Sequence, residues 1–151
     1  MRKALVVGLN DYPGCELNWC DNDAIAMKEL LESNGDGSPD FDVNLIIDKC
    51  EKEKLRKNIK QLFMGNDDIA LLYFSGHGAD ADGGYLCTTD FSGSDYGVRM
   101  TDVLEWANNS NCKNRVIILD CCFAAKTGES ILLNNNSVLG EGVTIIAASQ
   151  P

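Results

Sequence analysis

The stretch Ile69–Gly78, with the sequence IALLYFSGHG, decides the fold because an apolar run leads directly into a histidine between two glycines. Its first part, Ile69–Phe74, is short, continuously apolar and bounded by turn residues, which is typical of a buried parallel strand. Similar runs predict further strands at Ala4–Val7, Val43–Ile47, Val116–Leu119 and Val143–Ala147.

Amphipathic segments between these runs predict helices. In the first helix, four apolar residues are expected to face inward: Ile25, Met27, Leu30 and Leu31. Asn22 or Asp23 is expected to cap the start of this helix, and Gly35 is expected to end it.

The second predicted helix has apolar residues at the i, i+4, i+7, i+8 spacing of one helical face, namely Leu55, Ile59, Leu62 and Phe63. Gly65 follows this helix, and a third helix is predicted over Thr101–Asn108. Strands that alternate with helices predict a right-handed, doubly wound α/β sheet. A binding site in such a sheet is expected beyond the carboxyl ends of the strands.

Composition excludes several classes of protein. The net charge of −10 argues against a nucleic-acid surface, which needs Lys and Arg to displace counterions. It would suit a basic substrate, but the charge alone favours the simpler interpretation of a solvated acidic surface. No apolar run approaches the ~18–20 residues of a membrane-spanning helix. The start, Met1-Arg2-Lys3 and a short apolar run, favours a first strand over a signal peptide. We therefore expect one cytoplasmic domain with no membrane or nucleic-acid partner.

The cysteines indicate free thiols. Seven cysteines at irregular positions make a poor disulfide framework and suit a reducing compartment. A zinc site is disfavoured because the chain has no Cys-x-x-Cys pair and only one histidine.

Two polar motifs follow neighbouring predicted strands. Ser75-Gly76-His77-Gly78 follows the third strand, and Asp120-Cys121-Cys122 follows the fourth. A cysteine becomes a strong nucleophile as thiolate, and a nearby imidazole can stabilise the thiolate and then protonate a leaving amine. The spacing predicts a His77–cysteine pair but leaves Cys121 and Cys122 as alternatives for the nucleophile.

These two motifs resemble those of the caspase-like cysteine peptidases, and the resemblance extends over nearly the whole chain. It is closest to the metacaspase and bacterial orthocaspase branch, in which an aspartate stands two places before the nucleophile. The resemblance implies a caspase-like three-layer sandwich, with a mostly parallel sheet flanked by helices. It assigns His77 and Cys122 as a catalytic dyad, with an oxyanion hole formed by the backbone N–H groups of Gly78 and Cys122.

The resemblance also implies a specificity pocket. The segment LNWCDNDA over 17–24 is similar to a metacaspase segment that lines this pocket, so the implied pocket residues are Cys20, Asp23, Ser75 and Asp120. Two carboxylates there would favour cleavage after Arg, then Lys. Asp23 has the alternative role of stabilising the first turn of a helix, and Asp120 could instead accept hydrogen bonds from loop amides.

Within this resemblance, residues 1–151 are expected to form the large-subunit-like part of a catalytic domain, with a C-terminal remainder absent. Protein or peptide substrates are the expected partners, together with an activator or a C-terminal partner segment. No cofactor is expected. Calcium is the alternative, suggested by an Asp-rich stretch that lacks both an EF-hand loop and the paired aspartates of the metacaspase calcium site; its residues are Asp80, Asp82, Asp90, Asp95 and Asp102. The alternative function is an inactive caspase-like module that regulates or binds another protein.

Overall fold

The computed structural model describes residues 1–121 and 139–148. The strands are β1 (Arg2–Gly8), β2 (Asp42–Ile47), β3 (Ile69–Gly76), β4 (Gly78–Ala79), β5 (Tyr85–Ser92), β6 (Asp95–Arg99), β7 (Asn114–Cys121) and β8 (Val143–Ala147). The helices are α1 (Cys20–Glu32), α2 (Lys52–Phe63) and α3 (Met100–Asn108). All five predicted strands and all three predicted helices are present.

The main sheet has five strands in the order β2-β1-β3-β7-β8, and every pair in it is parallel. Helices cover both faces. α1 packs on the face that carries Val6 and Tyr73, whereas α2 and α3 cover the opposite face, where Leu72 and Phe74 lie in the larger core. This three-layer arrangement confirms the predicted α/β fold.

The inward face of α1 differs from the prediction. Ile25 is 37% exposed and Leu30 is 74% exposed, so neither belongs to the core. Ala24 is buried, and Met27 and Leu31 pack with it against the sheet. The prediction was wrong because the spacing i, i+3, i+7 from Ala24 sets the buried stripe, and Ile25 and Leu30 lie on either side of it.

The predicted ends of α1 were also wrong. The helix begins at Cys20, so Asn22 and Asp23 lie inside its first turn, and Trp19 in the cap position makes no side-chain cap hydrogen bond. The Cys20 N–H instead donates to Asn10 Oδ1 at 3.0 Å. The helix ends at Glu32, with Ser33 in extended conformation, which leaves Gly35 outside it. Asn10, in the loop after β1, therefore takes the place of a local N-cap residue.

A second sheet, β4-β5-β6, was not predicted. Its strands are antiparallel, and Gly93 and Ser94 form the turn between β5 and β6, while Ser92 ends β5 and pairs with Asp95. Polar residues and glycines interrupt the apolar alternation of these strands, so the sequence gives only a weak strand signal. This hairpin follows His77 directly and builds one wall beside it.

The register of the main sheet brings the predicted site motifs to one edge. Ser75 pairs with Gly8 on one side and with Asp120 on the other, and Gly76 pairs with Cys121. His77 follows Gly76 directly, and Cys122 follows Cys121. None of the helices in the described part of the chain is long and apolar enough to cross a membrane.

Candidate active site

His77 lies in the short connection between β3 and β4, at the carboxyl edge of the main sheet. The residue before it must be glycine, because a Cβ atom on Gly76 would collide with the hydroxyl of Tyr12. This close approach lets a buried tyrosine contact the backbone of the histidine.

Tyr12 contacts both the backbone and the ring of His77. Its side chain is fully buried, its hydroxyl donates to the Cys87 carbonyl at 2.8 Å, and it accepts from the His77 N–H at 3.1 Å. The two rings meet edge to face with centroids 4.6 Å apart. Burial raises the pKa of the Tyr12 phenol well above its ordinary value, so the hydroxyl keeps its proton for this bridge.

The imidazole is oriented by the loop after β1. Nε2 of His77 lies 2.7 Å from the backbone carbonyl oxygen of Cys15. Because a carbonyl can only accept, Nε2 must carry a proton, and Nδ1 then keeps the lone pair of the neutral ring. The loop is itself held by the Leu17 N–H donating to the Asn10 carbonyl at 2.9 Å and the Cys15 N–H donating to the Tyr12 carbonyl at 3.1 Å.

The other half of the predicted dyad lies outside the described residues, since the description stops at Cys121 before Cys122. Cys121 is buried and belongs to the core on the α2 and α3 side. Its position in the core agrees with a packing role for Cys121. The structure therefore positions His77, Gly78 and the strand that leads to Cys122.

The four residues of the predicted specificity pocket come from three separate elements, and the structure brings them together. Cys20 and Asp23 stand in the first turn of α1, Ser75 near the end of β3 and Asp120 near the end of β7. α1 can approach because Gly8 has no side chain: a Cβ atom there would collide with the Cys20 carbonyl oxygen.

We call these four residues, Cys20, Asp23, Ser75 and Asp120, the acidic cluster. The pKa of the Cys20 thiol shows that the other three lie close to it. Burial raises the pKa of the Cys20 thiol, and the carboxylates of Asp23 and Asp120 raise it further, while a hydrogen bond from Ser75 lowers it. Both carboxylates therefore act on one half-buried thiol.

Tyr73 joins the acidic cluster, although the sequence did not indicate this. Its hydroxyl donates to Asp120 Oδ2 at 3.4 Å. Burial raises the pKa of Tyr73, and the neighbouring Asp120 and Asp23 carboxylates raise it as well. Within residues 1–121 and 139–148, no salt bridge reaches Asp23 or Asp120, so their negative charge is not neutralised there.

The Asp-rich stretch does not converge on one point. Asp95 pairs with Lys52 at 2.9 Å, Asp102 pairs with Arg56 at 2.8 Å, and Asp90 accepts from the Thr88 hydroxyl at 2.7 Å. Among the residues that the structure describes, no group of three or more His, Cys, Asp or Glu side chains could hold a metal ion. The expectation that no cofactor is needed stays a prediction.

Replacing Tyr12 with phenylalanine is expected to lower the free energy of unfolding by about 1–3 kcal/mol, because the buried Cys87 carbonyl and the half-buried His77 N–H lose their partner. The His77 N–H should exchange faster with deuterium. Denaturant unfolding and amide exchange measure the two effects. Tyr85→Phe is the matched control, since no hydrogen bond of the Tyr85 hydroxyl occurs within the described residues, and equal effects of the two changes would contradict the bridge.

Comparison with known proteins places this chain in a family. The family model described as the caspase domain matches residues 1–147. Metacaspase-9 of Arabidopsis thaliana is 35% identical to this chain over 89 residues, an alignment that covers 51% of this chain and 27% of that protein. The chain thus spans less than a third of the length of this curated relative. Because the family model covers nearly the whole chain, and the sheet and helices agree with it, the chain belongs to the caspase-domain family.

Proposed function

We propose that the chain carries the catalytic site of a cysteine endopeptidase that cleaves after Arg, then Lys, through a His77–Cys122 dyad. The observation that carries this proposal is the parallel pairing of Gly76 with Cys121. His77 follows Gly76, and Cys122 follows Cys121. Both therefore come at the carboxyl edge of a doubly wound sheet, where binding sites form.

In the proposed reaction, the Cys122 thiolate attacks the carbonyl carbon of the scissile bond. The backbone N–H groups of Gly78 and Cys122 stabilise the negative charge that develops on the carbonyl oxygen. His77 donates a proton to the leaving amine as the C–N bond breaks, which leaves an acyl-enzyme thioester. A water molecule then attacks the thioester, His77 takes its proton, and the thiolate and a carboxylic acid product are released.

The held orientation of His77 supports this role. A proton on Nε2, donated to the Cys15 carbonyl, leaves the lone pair of the neutral ring on Nδ1. The Nδ1 atom is then the one that exchanges protons with the thiol and the leaving amine. Tyr12 fixes the backbone of the same residue, so rotation and translation of the ring are both restrained.

The acidic cluster supports the basic preference. Asp23 and Asp120 both lie close enough to influence the half-buried Cys20, and a guanidinium or ammonium placed there would neutralise them. Arg is favoured over Lys because its planar fork can bind a carboxylate through two hydrogen bonds. Protein and peptide substrates with such a residue before the scissile bond are the proposed partners.

A cytoplasmic location goes with this proposal, because a reducing compartment keeps the nucleophilic thiol reduced. Several other cysteines of the chain are present as thiols, among them the exposed Cys15 and the buried Cys50 and Cys112.

The test is a set of fluorogenic peptides that differ only in the residue before the scissile bond: Arg, Lys, citrulline, Asp and norleucine. Turnover is expected to fall from Arg to Lys and to be lost with citrulline, which has the shape of Arg without its charge. An inhibitor with Arg next to a thiol-reactive ketone should label Cys122 alone, as read by peptide mapping. Preference for Asp, or labelling of Cys20 in place of Cys122, would overturn the proposal, and peptide binding without turnover would indicate an inactive module.

A further inference from the structure

A cavity of about 250 Å³ opens beside His77. Six of the residues that line it are Tyr12, Cys15, His77, Ala79, Phe91 and Tyr96. None of them carries a permanent charge, although the chain as a whole has a net charge of −10. Apart from His77, Gly78 and the groups of Tyr12 and Cys15 that hold His77, this neutral wall has no role in the reaction proposed above.

The cavity and the acidic cluster lie on opposite faces of the main sheet. Tyr73, which contacts Asp120, belongs to the core under α1. Tyr12 belongs to the core on the other face, and Ala79 and Tyr96 pack against that core. His77 follows β3 at the edge between the two faces, so it lies between the acidic cluster and the cavity.

The direction of a bound peptide follows from the chemistry. In the reaction proposed above, the residue before the scissile bond occupies the acidic cluster. The histidine must protonate the amine that leaves, so the leaving part of the substrate passes His77 on the side away from the acidic cluster. That side is where the cavity opens, and its lining includes both His77 and Gly78.

Two of the polar groups in the wall are already engaged. The Cys15 carbonyl accepts from His77, and the Tyr12 hydroxyl bridges the Cys87 carbonyl and the His77 N–H. A charged side chain entering the cavity would lose water and find no partner at these groups. An aromatic side chain would bind favourably in the cavity, because it can pack against two rings. Tyr12 and Phe91 lie there with centroids 6.4 Å apart in a tilted arrangement that an added ring can extend.

The volume fits a single side chain. Sites that take whole drug-sized molecules measure ~300–1,000 Å³, and this cavity is smaller. We propose that it binds the residue directly after the scissile bond and selects a large apolar or aromatic side chain there. This inference rests on the proposed peptidase function, because it names a second substrate position at the same site.

The test uses quenched peptides that are identical up to Arg and carry Phe, Leu, Gly, Asp or Lys as the next residue. Phe and Leu are expected to give kcat/KM about 10- to 100-fold above Asp and Lys. Phe91→Ala should lower the preference for Phe over Gly about 5-fold, and Ala79→Leu, which fills the cavity, should reverse it. Ile25→Ala removes an apolar side chain of nearly the same exposure from α1, 37% against 36% for Phe91, and should leave the preference unchanged.

Two readouts separate this inference from the peptidase function. A peptidyl-Arg coumarin amide has no amino acid after the scissile bond, so its turnover tests the peptidase function alone. If it is cleaved while all five quenched peptides react equally, the cavity is not the subsite and the inference fails. If nothing is cleaved, the peptidase function fails. Binding then decides the inference: a short peptide with an amino-terminal Phe must shift the NMR signals of the single histidine and one with Asp must not.

Discussion

Replacing His77 with alanine is expected to lower kcat/KM for an Arg peptide about 10²- to 10⁴-fold. The change removes the group that stabilises the thiolate and protonates the leaving amine. Folding should survive, because the imidazole is half-buried and borders an open cavity, so its loss leaves no closed void in the core. Turnover of the fluorogenic Arg peptide and thermal unfolding of the same sample measure both expectations.

Rescue by free imidazole distinguishes proton transfer from a structural effect. Imidazole can enter the open cavity of His77→Ala and take over the proton transfer, so part of the lost activity should return. Tyr12→Phe, which also disturbs this loop but keeps the ring, should show no rescue. Activity within about 10-fold of the parent would contradict the role of His77. Because the chain has one histidine, its nitrogen NMR signals also report directly whether the proton lies on Nε2, as the Cys15 carbonyl requires.

The parallel sheet could be predicted from the sequence because its central strands are buried on both faces. Ile69–Gly76 has seven consecutive buried residues, and such continuous burial requires an apolar run that is easy to read. α2 was equally clear, since Leu55, Ile59, Leu62 and Phe63 form one stripe. The buried face of α1 was not clear, because this helix has more apolar residues than the sheet buries. Without the position of the sheet, Ile25 and Leu30 could not be recognised as the exposed ones.

The positions of His77 and Asp120 could be predicted from the rule that sites form at strand ends, but the groups that orient His77 could not. Tyr12 and Cys15 reach it across sequence separations of 65 and 62 residues, and Cys15 acts through its backbone carbonyl, which no side-chain pattern reveals. Asn10 was missed for a similar reason, because it caps α1 from ten residues away. The sequence signal for these two residues was weak: Asn10 and Tyr12 come shortly after the buried strand β1.

Neutralising the acidic cluster is the second large effect that we expect. Asp23→Asn and Asp120→Asn should each lower kcat/KM for Arg peptides about 10- to 100-fold, and the double variant about 10³-fold. Asn keeps an oxygen that can accept the hydrogen bond of the Tyr73 hydroxyl, so Asp120→Asn removes the charge and preserves the contact. Cleavage of the citrulline peptide, already minimal, should not fall further, because its side chain is neutral.

Asp21→Asn is the matched control for the helix role of Asp23. Both aspartates stand in the first turn of α1, where a negative charge stabilises the helix by about 0.3–1 kcal/mol. If Asp23 acted only on the helix, the two variants would show the same small loss of stability and the same activity. We expect equal stability but a loss of Arg selectivity in Asp23→Asn alone.

A measurement independent of turnover tests whether both carboxylates face one pocket. They disfavour the Cys20 thiolate, so removing them should lower the pKa of this half-buried thiol and move its alkylation profile to lower pH. Mass spectrometry of alkylated peptides follows Cys20 separately from the exposed Cys15. A shift in both single variants, additive in the double variant, would show that both carboxylates act on Cys20, as the binding of one guanidinium by both of them requires. An unchanged Cys20 profile in the double variant would mean that the acidic cluster is not formed in solution, and the basic preference would lose its structural support.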